Sequence, residues 1–315
     1  MKKHLLPENG QFYKANMHCH TNLSDGWLTP EEVKKAYSEK GYSIVAFTDH
    51  ENLFYHNDLS DKNFLAINGF EADISQRICS DNNYIKCYHF NAFALFPADR
   101  GPLPQKTEYD DIDAINDYIA KLNKQGFLVC YNHPYWSLQT LDDYRYLKGI
   151  FACEIFNYCS YMVDGIDGNN THVYDTLLRL GHRIYCMATD DNHNRGVSGV
   201  SFADSFGGFI MIKAEELTYS CIMNAIQKGD FYASAGPEIN ELWVEDNTVT
   251  VTTSPCAHIA LSTSGRRGER IVADNCKPLE HAVFKLNPAD TFFRLEVTDE
   301  KGLRANTRAY FLDEI

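Results

Sequence analysis

The stretch TPEEVKKAYSEKGYSIVAFTDH, residues 29–50, holds the pattern that decides the fold. Thr29 reads as a helix N-cap, Pro30 takes the first helical position, Glu32 completes a capping box and Gly41 supplies the stop. The helix runs into YSIVAFTDH, a short, almost wholly apolar run ending in Asp49 and His50. Such a run suits a strand buried on both faces of a parallel sheet. The same alternation continues to about residue 236. FLAINGFE, YHFNAFALF, GFLVCYNH, GIFACEIFN, HRIYCMATDD and FGGFIMIKA read as strands. YDDIDAINDYIAKLNKQG and AEELTYSCIMNAIQKG have helical spacing and end in Gly126 and Gly229. Alternation on this scale predicts an α/β fold, closed or nearly closed as a barrel.

After SAGPEI the character changes. Gly236 and Pro237 mark a boundary between a first domain of residues 1–236 and a second of residues 237–315. The latter shows period-two alternation and turn signals such as EDN and DEKG, which predict a small, sandwich-like antiparallel β domain.

Composition narrows the function. The 315 residues are 44% hydrophobic and 23% charged, ordinary values for a globular protein. The net charge of −14 argues against loose binding to long nucleic acids, which needs basic patches. It is compatible with a small anionic substrate where bound cations reverse the local charge. The N-terminal residues lack the apolar core of a signal peptide, and no apolar run is long enough to span a bilayer, so a cytoplasmic location is expected. Ten cysteines occur without a Cys-X-X-Cys pair, and several lie inside apolar runs, where they read as small hydrophobes. Cys19 should point away from the face shared by its neighbours His18 and His20.

The strand ends carry the chemistry. NMHCHTNLSDG, residues 16–26, brings His18 and His20 and then Asp25. Later runs deliver Asp49 and His50, Glu71, His89, His133, Glu154, and finally Asp190, Asp191 and His193. In a parallel barrel the C-terminal strand ends share one rim, so six of the twelve histidines meet several carboxylates at one mouth. Packing so many polar groups together is costly without a compensating cation. Imidazole and carboxylate without thiolate suit Zn, Mn or Fe, and the donor count calls for two or three ions. His4, His56, His172, His182, His258 and His281 fall elsewhere, where a surface or capping role is expected.

The ordered series MHCHTNLSDG, FTDH, GFE, HFNAF, NHP and ATDDNH resembles the PHP (polymerase and histidinol phosphatase) family of metal-dependent phosphoesterases, across most of residues 12–236. The resemblance implies a distorted (β/α)7 TIM-like barrel with a trinuclear metal site. It places one ion on His18, His20, Glu71 and Asp191, a second on Glu71, His89 and His133, and a third on Asp25, His50 and His193. Glu71, Asp191 and His193 would stand closest to the chemistry. Asp49, Asp190 and Glu154 would orient the ligand imidazoles.

The implied reaction is hydrolysis of a phosphate ester of a small metabolite or nucleotide by metal-activated hydroxide. No Gly-X-Ser-X-Gly elbow occurs to suggest a serine nucleophile. Arg195 and Arg77 could clamp a phosphate, Lys86 could reach the mouth, and Tyr131, Tyr135 and Trp136 could stack on the substrate. Two alternatives compete: an amidohydrolase-like enzyme acting on a C–N or C–O bond, which would normally want a metal-bridging carboxylated lysine or a dedicated carbonyl-polarising group, and a module whose β domain binds a ligand.

Overall fold

The computed structural model describes residues 2–77, 84–196, 202–274 and 277–315, the side chains of residues 77, 84 and 85 lying outside that set. In chain order the first elements are β1 (Lys3–His4), β2 (Gln11–Asn16), α1 (Pro30–Glu39), β3 (Ile44–Phe47), β4 (Leu65–Arg77), β5 (Tyr84–Ala94), α2 (Ile112–Lys124) and β6 (Phe127–Tyr131). Next come α3 (Leu141–Tyr144), β7 (Ala152–Asn157), α4 (Tyr158–Met162), α5 (Thr171–Arg179), β8 (Tyr185–Thr189), β9 (Phe209–Ala214), α6 (Tyr219–Lys228) and β10 (Phe231–Ser234). The remainder is β11 (Ile239–Glu245), β12 (Thr248–Cys256), β13 (His258–Thr263), β14 (Glu269–Val272), β15 (Leu279–Lys285), β16 (Phe292–Thr298), β17 (Arg304–Thr307) and β18 (Tyr310–Phe311).

Helix starts follow local chemistry. Thr29 and Glu32 form the reciprocal capping box of α1, Asp111 caps α2 and Thr218 caps α6. Gly41, Gly126 and Gly229 each take a positive φ, where a side chain would be strained.

The result is a mixed α/β fold. One large sheet runs in the order β14-β13-β16-β17-β10-β9-β2-β3-β4-β5-β6-β7-β8. The pairs β2–β3, β3–β4, β6–β7 and β7–β8 are parallel. β4–β5, β5–β6 and β2–β9 are antiparallel. The expected barrel of seven β/α units is therefore corrected: the sheet is mixed and not closed. Six residues separate Arg77 from Tyr84, whereas a parallel crossover takes a dozen or more, so β5 must return alongside β4. At the C-terminal strand ends, the extension of β8 still meets the extension of β2. Cys19 and Asn192 form an isolated parallel bridge. Asp191 N donates to His18 O at 3.0 Å, and His20 N donates to Asn192 O at 3.0 Å. These contacts gather the strand ends into one bowl.

The first core packs Ile44, Ile67, Phe70, Phe90, Val129 and Ile155 against α2, α5 and α6. A second core lies between the four-stranded antiparallel sheet β1-β11-β12-β15 and the far end of the large sheet. Residues 239–310 supply most of it, joined by Tyr232 and by Leu5 and Leu6 from the N-terminal segment. Arg294 of β16 is 2% exposed and forms a two-pronged pair with Asp175 of α5, at 2.7 and 3.0 Å, tying the two parts together.

The eight cysteines among the described residues are free. Cys19 is buried with Val33 and Tyr37, on the side away from His18 and His20 as strand alternation requires. Of the expected surface or capping roles, His56 takes a capping position, at the N-cap of the 3-10 turn Asn57–Leu59 without a side-chain cap bond, and it is buried with its ring 4.7 Å from that of Phe47. Among the described residues no helix is long and apolar enough to cross a membrane.

Candidate functional site

Glu71 stands at the centre of the bowl and is 1% exposed. Its Oε1 lies 3.2 Å from His18 Nε2, 3.1 Å from His89 Nδ1 and 3.4 Å from His133 Nε2. Its Oε2 lies 3.4 Å from His20 Nε2 and 3.1 Å from His50 Nδ1. One carboxylate thus faces five imidazoles. Asp191 Oδ1 is 3.0 Å from both His18 Nε2 and His20 Nε2. Asp25 lies 3.6 Å from His20 Nδ1, 3.9 Å from His50 Nε2 and 3.4 Å from His193 Nε2.

The donor atoms fall into overlapping groups. One is His18, His20, Glu71 and Asp191, another is Glu71, His89 and His133, and a third is His20, Asp25, His50 and His193. The structure brings together all nine residues singled out as metal ligands, with Glu71 common to two groups and His20 shared with the third.

Backbone geometry aims these donors. Asp191 has φ of +55° and His133 of +23°, values that non-glycine residues adopt only when surroundings hold them there. Glu154 accepts from His18 Nδ1 at 2.7 Å, from Thr189 Oγ1 at 2.7 Å and from His133 N at 2.9 Å. It therefore orients an imidazole, as expected, leaving His18 Nε2 for the centre. Asp49 and Asp190 act differently from expectation. Asp49 accepts from Thr21 N and Ser24 Oγ, at 2.8 and 2.7 Å, fixing the loop that carries Asp25. Asp190 accepts from the Tyr37 hydroxyl and from the amides of Phe206, Gly207 and Gly208. Burial outweighs those bonds and raises its pKa to about 6.

The electrostatics call for positive charge. Burial disfavours a proton on His20, but its hydrogen bonds to Asp191 and Glu71 prevail and hold its pKa up at about 9. Burial alone would raise the Glu71 pKa, yet His18, His89 and His50 hold it well below the carboxylate range. Burial pushes His50 down to about 4 against the pull of Glu71. Protons serve this cluster poorly. His18 Nε2 and His20 Nε2 confront each other at 3.1 Å, and the Nδ1 atoms of His20 and His50 lack a hydrogen-bond partner among the described residues. Lone pairs converging with carboxylates fit divalent cations, and the clusters suit the binding of such ions.

A cavity of about 220 Å³ opens on the cluster. A second, of about 520 Å³, shares His50, His89 and Trp136 with it. Trp136 packs its ring 4.9 Å from that of His133 and lines both cavities. Arg195 lines the first, but its guanidinium is engaged by Asp25 through a side-chain ion pair and a 2.9 Å bond to the backbone oxygen. Lys86 lines the second and pairs with Asp143 at 2.7 Å. Tyr131 is not at the mouth: it is buried in the first core and bonds Gln139. Tyr135 is exposed. The Arg77 side chain lies outside the described residues.

Several site residues escaped the sequence reading. Asn132 donates to Glu71 Oε1 at 2.7 Å, Asn157 donates to Asp191 Oδ2 at 3.1 Å, and Asp204 accepts from the amides of His193 and Asn194. The first two sit at strand ends, which was the available signal. Asp204 lies on a separate loop and gave none.

Known proteins resemble this chain in sequence or in fold. An uncharacterized protein of Methanocaldococcus jannaschii is 25% identical over 186 residues, covering 55% of this chain and 97% of its own length. The crystal structure of a two-domain protein containing a predicted PHP-like metal-dependent phosphoesterase, from Bacteroides vulgatus, superposes with a TM-score of 0.52 at 17% identity. That match covers 97% of this chain and 98% of the other, and extends the likeness in fold through both parts of the molecule. The PHP domain model matches residues 16–213, a span that contains every donor described above. With more than half of the chain matched, the protein belongs to the PHP domain family.

Proposed function

We propose that this protein hydrolyses a phosphate ester of a small metabolite or nucleotide at a site holding two or three divalent cations of the Zn, Mn or Fe kind. The observation that carries this reading is the overlap of three donor clusters on Glu71 and His20 beneath one cavity. Cations bound there would supply an acidified water at neutral pH and neutralise phosphoryl charge.

The chain's own residues do the rest. Glu71 presents carboxylate oxygens to two donor groups and Asp191 to one, and Glu154 fixes the tautomer of His18 by accepting from Nδ1. Asn132 and Asn157 hold the two central carboxylates from behind. His193 is tethered through Nδ1 to Asp191 O at 2.9 Å, which turns Nε2 towards Asp25. Trp136 walls the cavity, and Arg195 lines it with its guanidinium held by Asp25, which an anionic group would have to share. An amidohydrolase-like enzyme with a carbamylated lysine is disfavoured, since no lysine lines the cavity among the described residues. We place the enzyme in the cytoplasm, acting on a soluble small molecule.

The test is a panel of phosphorylated metabolites and aryl phosphates, assayed with protein reconstituted in Mn²⁺, Zn²⁺ or Fe²⁺. Metal-dependent release of phosphate supports the reading. Cleavage of amides or lactones alone, with every phosphate ester untouched, would refute it.

A further inference from the structure

We propose that Cys159, His193 and Asp204 form a further cation site, suited to a thiophilic divalent ion such as Zn²⁺ or Cd²⁺, through which excess metal switches hydrolysis off. The control of turnover rests on the phosphoester reading above; the site itself does not.

The observation is another convergence of donors on the same cavity. The Cys159 sulfur, a His193 ring nitrogen and an Asp204 carboxylate oxygen all lie within 4.8 Å of one another. The three residues line the cavity of about 220 Å³, and Cys159 is the one thiol that does so among the described residues. Cys159 is 8% exposed and free, with no hydrogen bond to Sγ among the described residues. Asp204 is 4% exposed. An almost buried thiol with nothing to bond, facing an imidazole and a buried carboxylate, leaves donor capacity that a cation would use.

Three segments of the chain hold the trio. Cys159 N donates to Asp190 O at 2.9 Å, which fixes the start of α4 against the end of β8. Asp204 Oδ2 accepts from His193 N at 2.7 Å and from Asn194 N at 3.0 Å, so this carboxylate is clamped to the backbone of the residue whose ring it adjoins. Its Oδ1 takes a longer contact, 3.3 Å from Ser205 Oγ. His193 is tethered through Nδ1 to Asp191 O at 2.9 Å. A tetrahedral zinc ion sets its donors roughly 3.5 Å apart, so the trio closes on an ion by a shift of about an ångström.

Donor chemistry separates this site from the other three groups. Those offer imidazole and carboxylate, which Mn²⁺ also accepts, whereas a thiolate favours Zn²⁺ or Cd²⁺ over Mn²⁺. Three protein donors leave a fourth position open to the cavity. Binding forms the sulfur–metal bond and releases the S–H proton to solvent. His193 also belongs to the group with His20, Asp25 and His50. An ion on Cys159 therefore draws on a donor that the hydrolytic centre uses.

Cadmium titration of Mn²⁺-saturated protein tests this. A cadmium thiolate has an ultraviolet charge-transfer band that imidazole and carboxylate coordination lack. The band should rise and saturate in the parent, and the increment due to one ion should be missing in Cys159→Ser. Asp204→Asn keeps the thiol but should need about tenfold more Cd²⁺ or beyond, since even groups that only support a ligand cost about 10–100-fold in metal affinity. With 4-nitrophenyl phosphate as substrate, half-inhibition of Cys159→Ser should take about tenfold more Cd²⁺ than half-inhibition of the parent. An undiminished band in Cys159→Ser, or an Asp204→Asn titration matching the parent, would overturn the site. The second of these would leave Cys159 a lone thiol. Equal half-inhibition of parent and Cys159→Ser would overturn the control of turnover. A parent that shows the band but cleaves no phosphate ester would sink the phosphoester reading and leave the site standing. Circular dichroism checks folding. If Cys159→Ser does not fold, Cys159→Ala removes the donor without burying a hydroxyl and carries the same test.

Discussion

Replacing Arg294 with methionine should destabilise the whole molecule rather than its C-terminal part alone. Arg294 is 2% exposed on β16, and its Nε and Nη2 meet the Asp175 carboxylate of α5 at 2.7 and 3.0 Å, while Nη1 donates to Asn306 at 3.1 Å. Methionine keeps most of the apolar stem but strands the Asp175 carboxylate, whose side chain is 15% exposed. Removing one partner of a buried pair costs about 3–5 kcal/mol. The residual exposure of Asp175 places the loss near the lower end, about 3 kcal/mol. At about 2 °C per kcal/mol for a protein of this size, Tm should fall by about 6 °C. The double variant Arg294→Met, Asp175→Leu leaves neither charge buried and should recover most of the loss. Urea unfolding followed by circular dichroism measures both variants, and a single transition is expected, because the sheet runs unbroken from β9 through β10 and β17 into β16. A loss under about 1 kcal/mol in the single variant, or no recovery in the double, would refute this account of the seam.

Other outcomes follow from the site and the helix starts. Glu71→Gln should fold but lose phosphoester hydrolysis by about a thousandfold. A unit charge at contact range is worth about 4 kcal/mol in a partly polar setting, and a neutral amide bridges cations poorly; turnover and metal content read this out. Purified protein should carry more than one equivalent of transition metal by elemental analysis. Chelation should lower Tm, since ions at about a hundredfold over Kd contribute about 2.7 kcal/mol. His172→Ala and His258→Ala should leave turnover nearly intact, because both lie on elements away from the bowl. Thr29→Ala should cost about 1 kcal/mol in urea unfolding by removing the α1 capping box.

Most donor residues were legible because they follow a short apolar run, and a buried parallel strand places polar groups at its end: His18 and His20 follow β2, His50 follows β3, His133 follows β6 and Asp191 follows β8, whereas Glu71 and His89 lie inside β4 and β5. The shape of the sheet was harder to read. The β4 and β5 runs look like their neighbours, and only the short connection between them forces the antiparallel return. Asn132 and Asn157 were passed over because asparagine at a strand end reads equally well as a turn residue. Asp204 could not be found from spacing, since its partners His193 and Asn194 lie across a loop from it. From its sequence context Arg195 reads as able to clamp a phosphate, and nothing there signals its ion pair with Asp25.

The pairing of β1 with β11 bears on how the chain acquires its structure during synthesis. Lys3 pairs with Val244 and His4 with Trp243, and Leu5 and Leu6 pack into a core otherwise drawn largely from residues 239–310. Lys3 and His4 therefore find their partners roughly 240 residues later in the chain. At 5–20 residues per second that is a wait of roughly 10–50 s. Through that interval the half that carries the donor clusters can collapse around its own core, while Leu5 and Leu6 remain exposed. The last sheet then recruits β1, and among the described strand pairings this closure has the greatest sequence separation, which makes it one a nascent-chain chaperone has reason to guard.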